Sequence, residues 1–307
     1  MTAAPGRAAV LGSPISHSKS PQLHGAAYEH LGLDIAYSRI ELGETAVEQF
    51  LAGEGSKQGW LGWSVTMPLK AVMVPQMTTV SPRVQTLGVL NTVVIAEDPA
   101  GGRTLHGENT DVDGIVTALR EQGVTRDEPA AGTCAVLGAG GTAAAALAAA
   151  AELNVAEVFV YARSLERAAA ARPLAARLGL PLTLRPLAAL GEDISAGLLK
   201  VVISTLPPHA ADPLAKQLPD KSAARPVLLD VAYDPWPSAI AHEWARRGWP
   251  VTSGLEMLLH QAVRQVELFT ERTHNPAAVQ NAADRSLMVQ RMRAAVGLPA
   301  VAGASER

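Results

Sequence analysis

Short apolar runs alternate with stretches of helical spacing along most of the chain. The runs at 8–11, 35–42 and 63–66 have the length of buried strands, and between the first two, residues 22–31 place apolar side chains at helical intervals. This alternation predicts an α/β architecture. The first helix carries its own punctuation: Ser20 in the N-cap position, Pro21 in the first turn and Gly32 where the helix must stop. Two further runs, 89–96 and 104–106, flank a turn-rich stretch and predict a hairpin, after which residues 113–121 read as helix.

Residues 123–132, rich in Gly, Pro, Ala and charge, read as a linker opening a second domain. Beyond it come a strand at 134–137, an alanine-rich helix at 142–153, a strand at 157–162 and a helix at 165–178. Strand runs follow at 182–184, 201–205, 227–231 and 251–252, which predicts a doubly wound parallel sheet of the Rossmann type. Residues 254–292 have helical periodicity with no strand candidate, and the tail after Gly297 reads as frayed.

Composition narrows the ligand class. With 307 residues and 48% hydrophobic content, each of two domains can have its own core. A net charge of −3 with both signs interspersed offers no basic stripe for nucleic acid and no polybasic segment for a membrane surface. The first seven residues lack the order of a signal peptide, and apolar stretches break before membrane-spanning length, so a cytoplasmic location and a small-molecule ligand are expected. The single Cys134 cannot form an internal disulfide and reads as a small buried hydrophobe of a strand.

The chemistry-bearing segment of the second half is Gly138-Ala139-Gly140-Gly141-Thr142, set between a β-branched run and a helix. Glycines there let a dinucleotide diphosphate approach bare backbone at a helix N-terminus, where amides point outward and the macrodipole favours an anion. The next strand ends at Ala162, about 25 positions after the first glycine, where the adenosine ribose is contacted. An NAD site usually offers an acidic residue here. This chain offers Arg163, Ser164 and Arg167 instead, which suit a 2′-phosphate through charge-assisted hydrogen bonds and so predict NADP. A cation at a helix N-terminus opposes the macrodipole, which argues that Arg163 has a purpose beyond solvation.

Polar clusters fall at strand ends in the first half and recur near the C-terminus: Ser18-Lys19-Ser20-Pro21, Ser64-Val65-Thr66-Met67-Pro68-Leu69-Lys70, Asn91-Thr92, Asn109-Thr110-Asp111 and Gly254-Leu255-Glu256-Met257-Leu258-Leu259-His260-Gln261. In this order, with the glycine loop, the chain resembles the shikimate dehydrogenases over about residues 8–265. The resemblance implies NADPH-dependent reduction of 3-dehydroshikimate to shikimate in the shikimate pathway of aromatic amino acid biosynthesis. A monomer or homodimer is expected, with a small-molecule substrate as partner and neither nucleic acid nor membrane. Lys70 matches the family's catalytic lysine, and Asp111 the aspartate that holds it and bonds the neighbouring substrate hydroxyl. Ser18 and Ser20 match the carboxylate-binding serines, Thr66, Asn91 and Gln261 the partners of hydroxyl or carbonyl groups, and Tyr233 a tyrosine at the substrate and nicotinamide end. Cofactor contacts are expected at Gly138, Ala139, Gly140, Gly141, Thr142, Ala162, Arg163, Ser164, Arg167, Val231 and Gly254.

The expected organisation is an α/β substrate domain over 1–115, an NADP-binding Rossmann domain over 116–254, and C-terminal helices in 255–307 packing back on the first domain. A cleft between the domains would close by a hinge during hydride transfer. Three segments depart from the family pattern: Ser13 and Ser64 stand where relatives commonly have Asn, and Ile203-Ser204-Thr205 replaces Asn-Ala-Thr. Quinate/shikimate dehydrogenases and aminoshikimate-type paralogues share nearly all these motifs, and a non-catalytic sensor should have lost Lys70 or Asp111. His17 and His260 have no acidic or cysteine partner at metal spacing in this reading, so no metal is expected.

Overall fold

The run at 8–11 is buried on both faces, as a central parallel strand requires. In the computed structural model, which describes residues 6–97, 102–125, 132–271 and 281–300, the chain divides into two compact units, Met1–Thr110 with Gln261–Arg307 and Asp111–His260. The first unit carries β1 (Gly6–Gly12), α1 (Ser20–His30), β2 (Ile35–Glu41), α2 (Val47–Ala52), β3 (Trp60–Val65), β4 (Thr79–Val80), α3 (Pro82–Leu87), β5 (Thr92–Glu97) and β6 (Arg103–Glu108). Its sheet has the order β2-β1-β3-β5-β6-β4, parallel around β1 and antiparallel from β3 through β6. The expected hairpin is β5 with β6, paired from Thr92↔Glu108 to Glu97↔Arg103; its tip, 98–101, lies outside the described residues.

The start of α1 corrects one expectation. Backbone at Lys19 is already helical (φ −85°, ψ −5°), so Lys19 holds the cap position and Ser20 is the first helical residue, buried. The other end follows the glycine rule: Gly32 has φ +64°, its N–H donates to Glu29 O, and Leu33 N–H reaches back to Tyr28 O.

The second unit contains α4 (Asp111–Glu121), β7 (Thr133–Leu137), α5 (Gly141–Glu152), β8 (Glu157–Ala162), α6 (Leu165–Ala168), α7 (Arg172–Arg177), β9 (Leu182–Pro186), α8 (Leu190–Ser195), β10 (Leu199–Ser204), α9 (Asp212–Ala215), β11 (Val227–Asp230), α10 (Ala239–Arg246) and β12 (Val251–Ser253). Helix α11 (Gly254–Thr270) begins in this unit and contributes Gln261 onward to the first, as does α12 (Ala282–Ala295), which packs on α1. Part of the stretch read as a linker (126–131), the segment 272–280 and the tail from 301 lie outside the described residues.

All strands of the second sheet are parallel, in the order β12-β11-β10-β7-β8-β9. Counted from β7, this is the Rossmann order. The chain starts centrally, adds β8 and β9 on one side, then reverses to β10 on the other, so β7 and β10 flank the switch point where such folds bind ligands. Trp244, Trp249, Tyr161 and Leu228 anchor the core of this unit. The helix expected over 165–178 is divided into α6 and α7 by a 3-10 turn at Ala169–Ala171. Pro173, which lacks a backbone donor, sits in the first turn of α7 and cannot belong to a continuous helix interior. Cys134 is buried in β7, and desolvation pushes its thiol up to about 12, as suits a structural hydrophobe. Among the described residues no helix is long and apolar enough to cross a membrane.

Candidate active site

The glycine loop sits at the switch point of the second sheet. Gly138 has φ +103°, and a Cβ there would lie 2.8 Å from Thr205 Oγ1, so both conformation and space demand glycine. Thr205 fixes this corner, donating both its hydroxyl (2.8 Å) and its backbone N–H (2.9 Å) to Leu137 O. The departing tripeptide therefore keeps its threonine in a structural bond. Gly140 caps α5 with no side-chain hydrogen bond, and open space surrounds both Gly140 and Gly141. Exposed α5 amides and room beside them are what a diphosphate needs.

At the end of β8, Ala162 is buried while Arg163 and Arg167 are exposed. Neither guanidinium is paired with a described carboxylate. Ser164 Oγ accepts from Arg167 N–H at 3.3 Å, capping α6; its hydroxyl hydrogen remains available to donate. Val231 and Gly254 come together closely: a Cβ on Gly254 would stand 1.9 Å from Val231 O, so no other residue fits there. Just before them, Asp230 accepts from Ser238 Oγ (2.6 Å) and Ala232 N–H (3.3 Å), and burial raises its carboxyl above the ordinary value. Tyr233 is half-buried in the loop after β11, its phenol raised by desolvation and then by Asp234.

In the first unit, Asn91 and Gln261 converge. Asn91 Nδ2 donates to Gln261 Oε1 (3.1 Å) and Thr110 Oγ1 (3.0 Å), while Asn91 Oδ1 accepts from Thr110 N–H (2.7 Å) and Thr92 Oγ1 (2.8 Å). Lys70 lies at the same end of the sheet. Its carbonyl accepts from Leu90 N–H (2.9 Å), and buried Leu69 and Met73 anchor its turn. Thr66 continues directly from β3, its N–H bonded to Leu11 O at 2.9 Å. Asp111 follows Thr110 as the first residue of α4 and is buried.

The serine motif is held by β2 residues that sequence reasoning missed. Arg39 donates twice to Ser18 O (2.6 and 3.1 Å), while Glu41 accepts from Ser13 Oγ (2.7 Å) and Ile15 N–H (3.3 Å). Ser13 thus has a defined partner despite its departure from the family pattern. Ser20 N–H donates to Ser18 Oγ at 3.3 Å, and Ser20 is buried.

A second missed feature is the buried chain behind Asn91. Tyr37 OH donates to Ser64 Oγ (2.6 Å), Ser64 Oγ to Gln265 Oε1 (2.7 Å), and Gln265 Nε2 to Asn91 O (3.1 Å) and Thr92 Oγ1 (2.9 Å). His24 Nε2 also meets Gln265 Oε1 (3.3 Å), and its Nδ1 meets Tyr28 OH (3.1 Å). Since Gln265 Oε1 can only accept, Nε2 carries the proton and Nδ1 accepts from Tyr28. Burial lowers the His24 pKa from 6.5 to about 3, so the ring stays neutral.

Neutral burial has a pH consequence. The unfolded chain binds a proton at His24 near pH 6.5 and the folded one does not, so this contribution to stability is complete above that pH and declines as the pH falls toward 3. Between pH 8 and pH 5 the loss from this group is about 2 kcal/mol. Urea unfolding at both pH values should show it, with a shallower pH dependence in His24→Asn; identical pH dependence in the two proteins would remove the assignment.

The reading of His260 as lacking an acidic partner is corrected. Glu256, one helical turn earlier on α11, and Glu121, the last residue of α4, both bring ligand atoms near its ring. His17, by contrast, is exposed, with its Nδ1 3.1 Å from Ser16 Oγ.

Comparison with known proteins settles the family. A shikimate dehydrogenase (NADP+) of Paramagnetospirillum magneticum is 38% identical over 259 residues, covering 83% of this chain and 89% of that protein. The chain belongs to the shikimate dehydrogenase family. Family models agree: the shikimate dehydrogenase substrate-binding domain matches residues 10–93, and the shikimate 5′-dehydrogenase C-terminal domain matches residues 254–283. Among solved members of the family, the Mycobacterium fortuitum shikimate 5-dehydrogenase shares 37% identity at a TM-score of 0.77, over 96% of this chain and 99% of that one. The Thermus thermophilus enzyme, solved with NADP(H) and shikimate, shares 29% identity at a TM-score of 0.72, over 94% and 99% of the two chains.

Proposed function

We propose that this shikimate dehydrogenase family member catalyses the reversible reduction of 3-dehydroshikimate to shikimate with NADPH. The observation that carries the reading is the match of 259 residues to an NADP-dependent shikimate dehydrogenase, a span longer than either unit alone. The first unit is assigned the substrate, and the second the cofactor.

Reduction of the ketone adds a hydride to carbon and a proton to oxygen. When bound, NADPH supplies the hydride. The α5 N-terminus with Gly138, Gly140 and Gly141 fits its diphosphate, because the amides are uncapped and no side chain fills the approach. Arg163 and Arg167 would pair with the 2′-phosphate, with Ser164 as a further donor.

On the substrate side, the Lys70 ammonium donates the proton to the carbonyl oxygen as negative charge develops there, and takes it back in the oxidative direction. Asp111 holds that ammonium and accepts from the neighbouring hydroxyl. Ser18 and Ser20 receive the carboxylate, while Thr66, Asn91 and Gln261 orient the ring, and Tyr233 borders the reacting end. The internal bonds of Asn91 to Thr110 and Gln261 set those amides before substrate arrives, so little reorganisation is needed on binding.

The test is a matrix of initial rates pairing NADP or NAD with shikimate or quinate. NADP with shikimate should exceed the other pairs in kcat/KM by about 10²-fold or more, as expected where buried donors must be matched by ligand groups. Preference for NAD with quinate would move the chain to the quinate-oxidising branch, and absence of turnover with every pair would sink the reading.

A further inference from the structure

We infer that Glu121, Glu256 and His260, none of which is assigned to substrate or NADP, form a binding site for one zinc-class divalent cation, His260 directly preceding Gln261 on α11. Glu256 and His260 stand four residues apart on α11 and so share a helix face. Glu121 closes α4 and completes the set: the three ligand atoms lie within 4.8 Å of one another. His260 Nε2 and Glu121 Oε1 are 3.1 Å apart, already close to the ligand spacing of about 3.4 Å implied by tetrahedral zinc bonds near 2.1 Å.

The second observation is the histidine nitrogen itself. His260 is 9% exposed, and its Nε2 is fully buried without a hydrogen bond of acceptable geometry. At 3.1 Å, Glu121 is near enough for charge attraction but is not aligned as an acceptor. A buried ring nitrogen left in this state costs about 1–3 kcal/mol, a cost that a bond from its lone pair to a metal ion removes.

The donor set specifies the cation class. One imidazole nitrogen favours zinc, cobalt or nickel over magnesium and calcium, which take oxygen ligands. Two carboxylates neutralise a divalent charge, and the partial exposure of Glu121 leaves a side open for a water ligand. Bound metal would fasten the end of α4 to the first turns of α11.

The test titrates the chelator-stripped full-length protein with ZnCl₂ by calorimetry and with CoCl₂ by visible absorption, beside Glu121→Gln and Glu256→Gln. The parent should bind one equivalent, give cobalt d–d bands and rise in Tm. Each variant should lose at least about tenfold in affinity while Glu121→Gln keeps the metal-free turnover of the parent. Absence of one-to-one binding in the parent overturns the site, as does equal affinity in all three proteins, which is the behaviour of adventitious surface binding.

Discussion

Lys70→Ala should lower kcat for shikimate oxidation by about 10²–10⁴-fold, the range of a lost general acid–base group, while KM changes by no more than about threefold. The reason for the split is that Lys70 acts on the proton whereas the serines, Thr66, Asn91 and Gln261 hold the ring and carboxylate. Truncation should leave the backbone in place, because the turn is anchored by buried Leu69 and Met73 and by the bond from Leu90 N–H to the Lys70 carbonyl. Asp111→Ala should damage both kcat and KM, and the double variant should be little worse than Lys70→Ala, since groups that act as one unit lose their effect together. Steady-state kinetics on the three purified proteins decides it. Parent-like turnover in Lys70→Ala would take proton transfer away from this residue.

The second large effect is in cofactor choice. Arg163→Ala with Arg167→Ala should lower kcat/KM for NADP by about 10²-fold or more, since hydrogen bonds between charged groups contribute about 1.5–3 kcal/mol each, and should leave kcat/KM for NAD nearly unchanged. Both side chains are exposed, so removing them leaves no cavity. Ser164 is a less clean probe: its oxygen caps α6, and Ser164→Ala would cost about 1 kcal/mol of local stability along with any phosphate contact. Unchanged selectivity between NADP and NAD in the double variant would move phosphate recognition elsewhere.

Features carried by local pattern were legible in the chain. The β7–α5 corner could be read because a β-branched run, glycines and an alanine-rich helix follow in sequence, and the structure adds that Thr205 fills the space beside Gly138. The 165–178 region shows how periodicity alone overreaches: alanines keep the spacing while Pro173 divides the helix. Strand β4 is only Thr79–Val80, too short to leave a period-two signal, and is defined by pairing with β6. Ser20 has an ideal capping side chain, yet the backbone enters the helix one residue earlier, at Lys19, and Ser20 becomes a buried helical residue.

Long-range partners were another matter. Gln265 is 174 positions from Asn91 and 241 from His24, and nothing near it in sequence distinguishes it from a solvated glutamine. Glu256, by contrast, sits at a readable four-residue spacing before His260. Its meaning emerges only when α4 delivers Glu121.

The buried chain from Tyr37 through Ser64 to Gln265 has a direction as well as a set of members. Tyr37 and Ser64 each pass a proton donor forward, and the Gln265 amide divides the network, its oxygen receiving from Ser64 and His24 and its nitrogen giving to Asn91 O and Thr92. Inverting that amide would oppose donor to donor on one side and acceptor to acceptor on the other, so no link can be reversed alone. For an evolving lineage this makes the cluster a ratchet. A change at Ser64, Tyr37 or Gln265 strands a partner in the interior until a second change restores its bond, and these positions should drift in pairs while the solvated faces of the same elements drift singly.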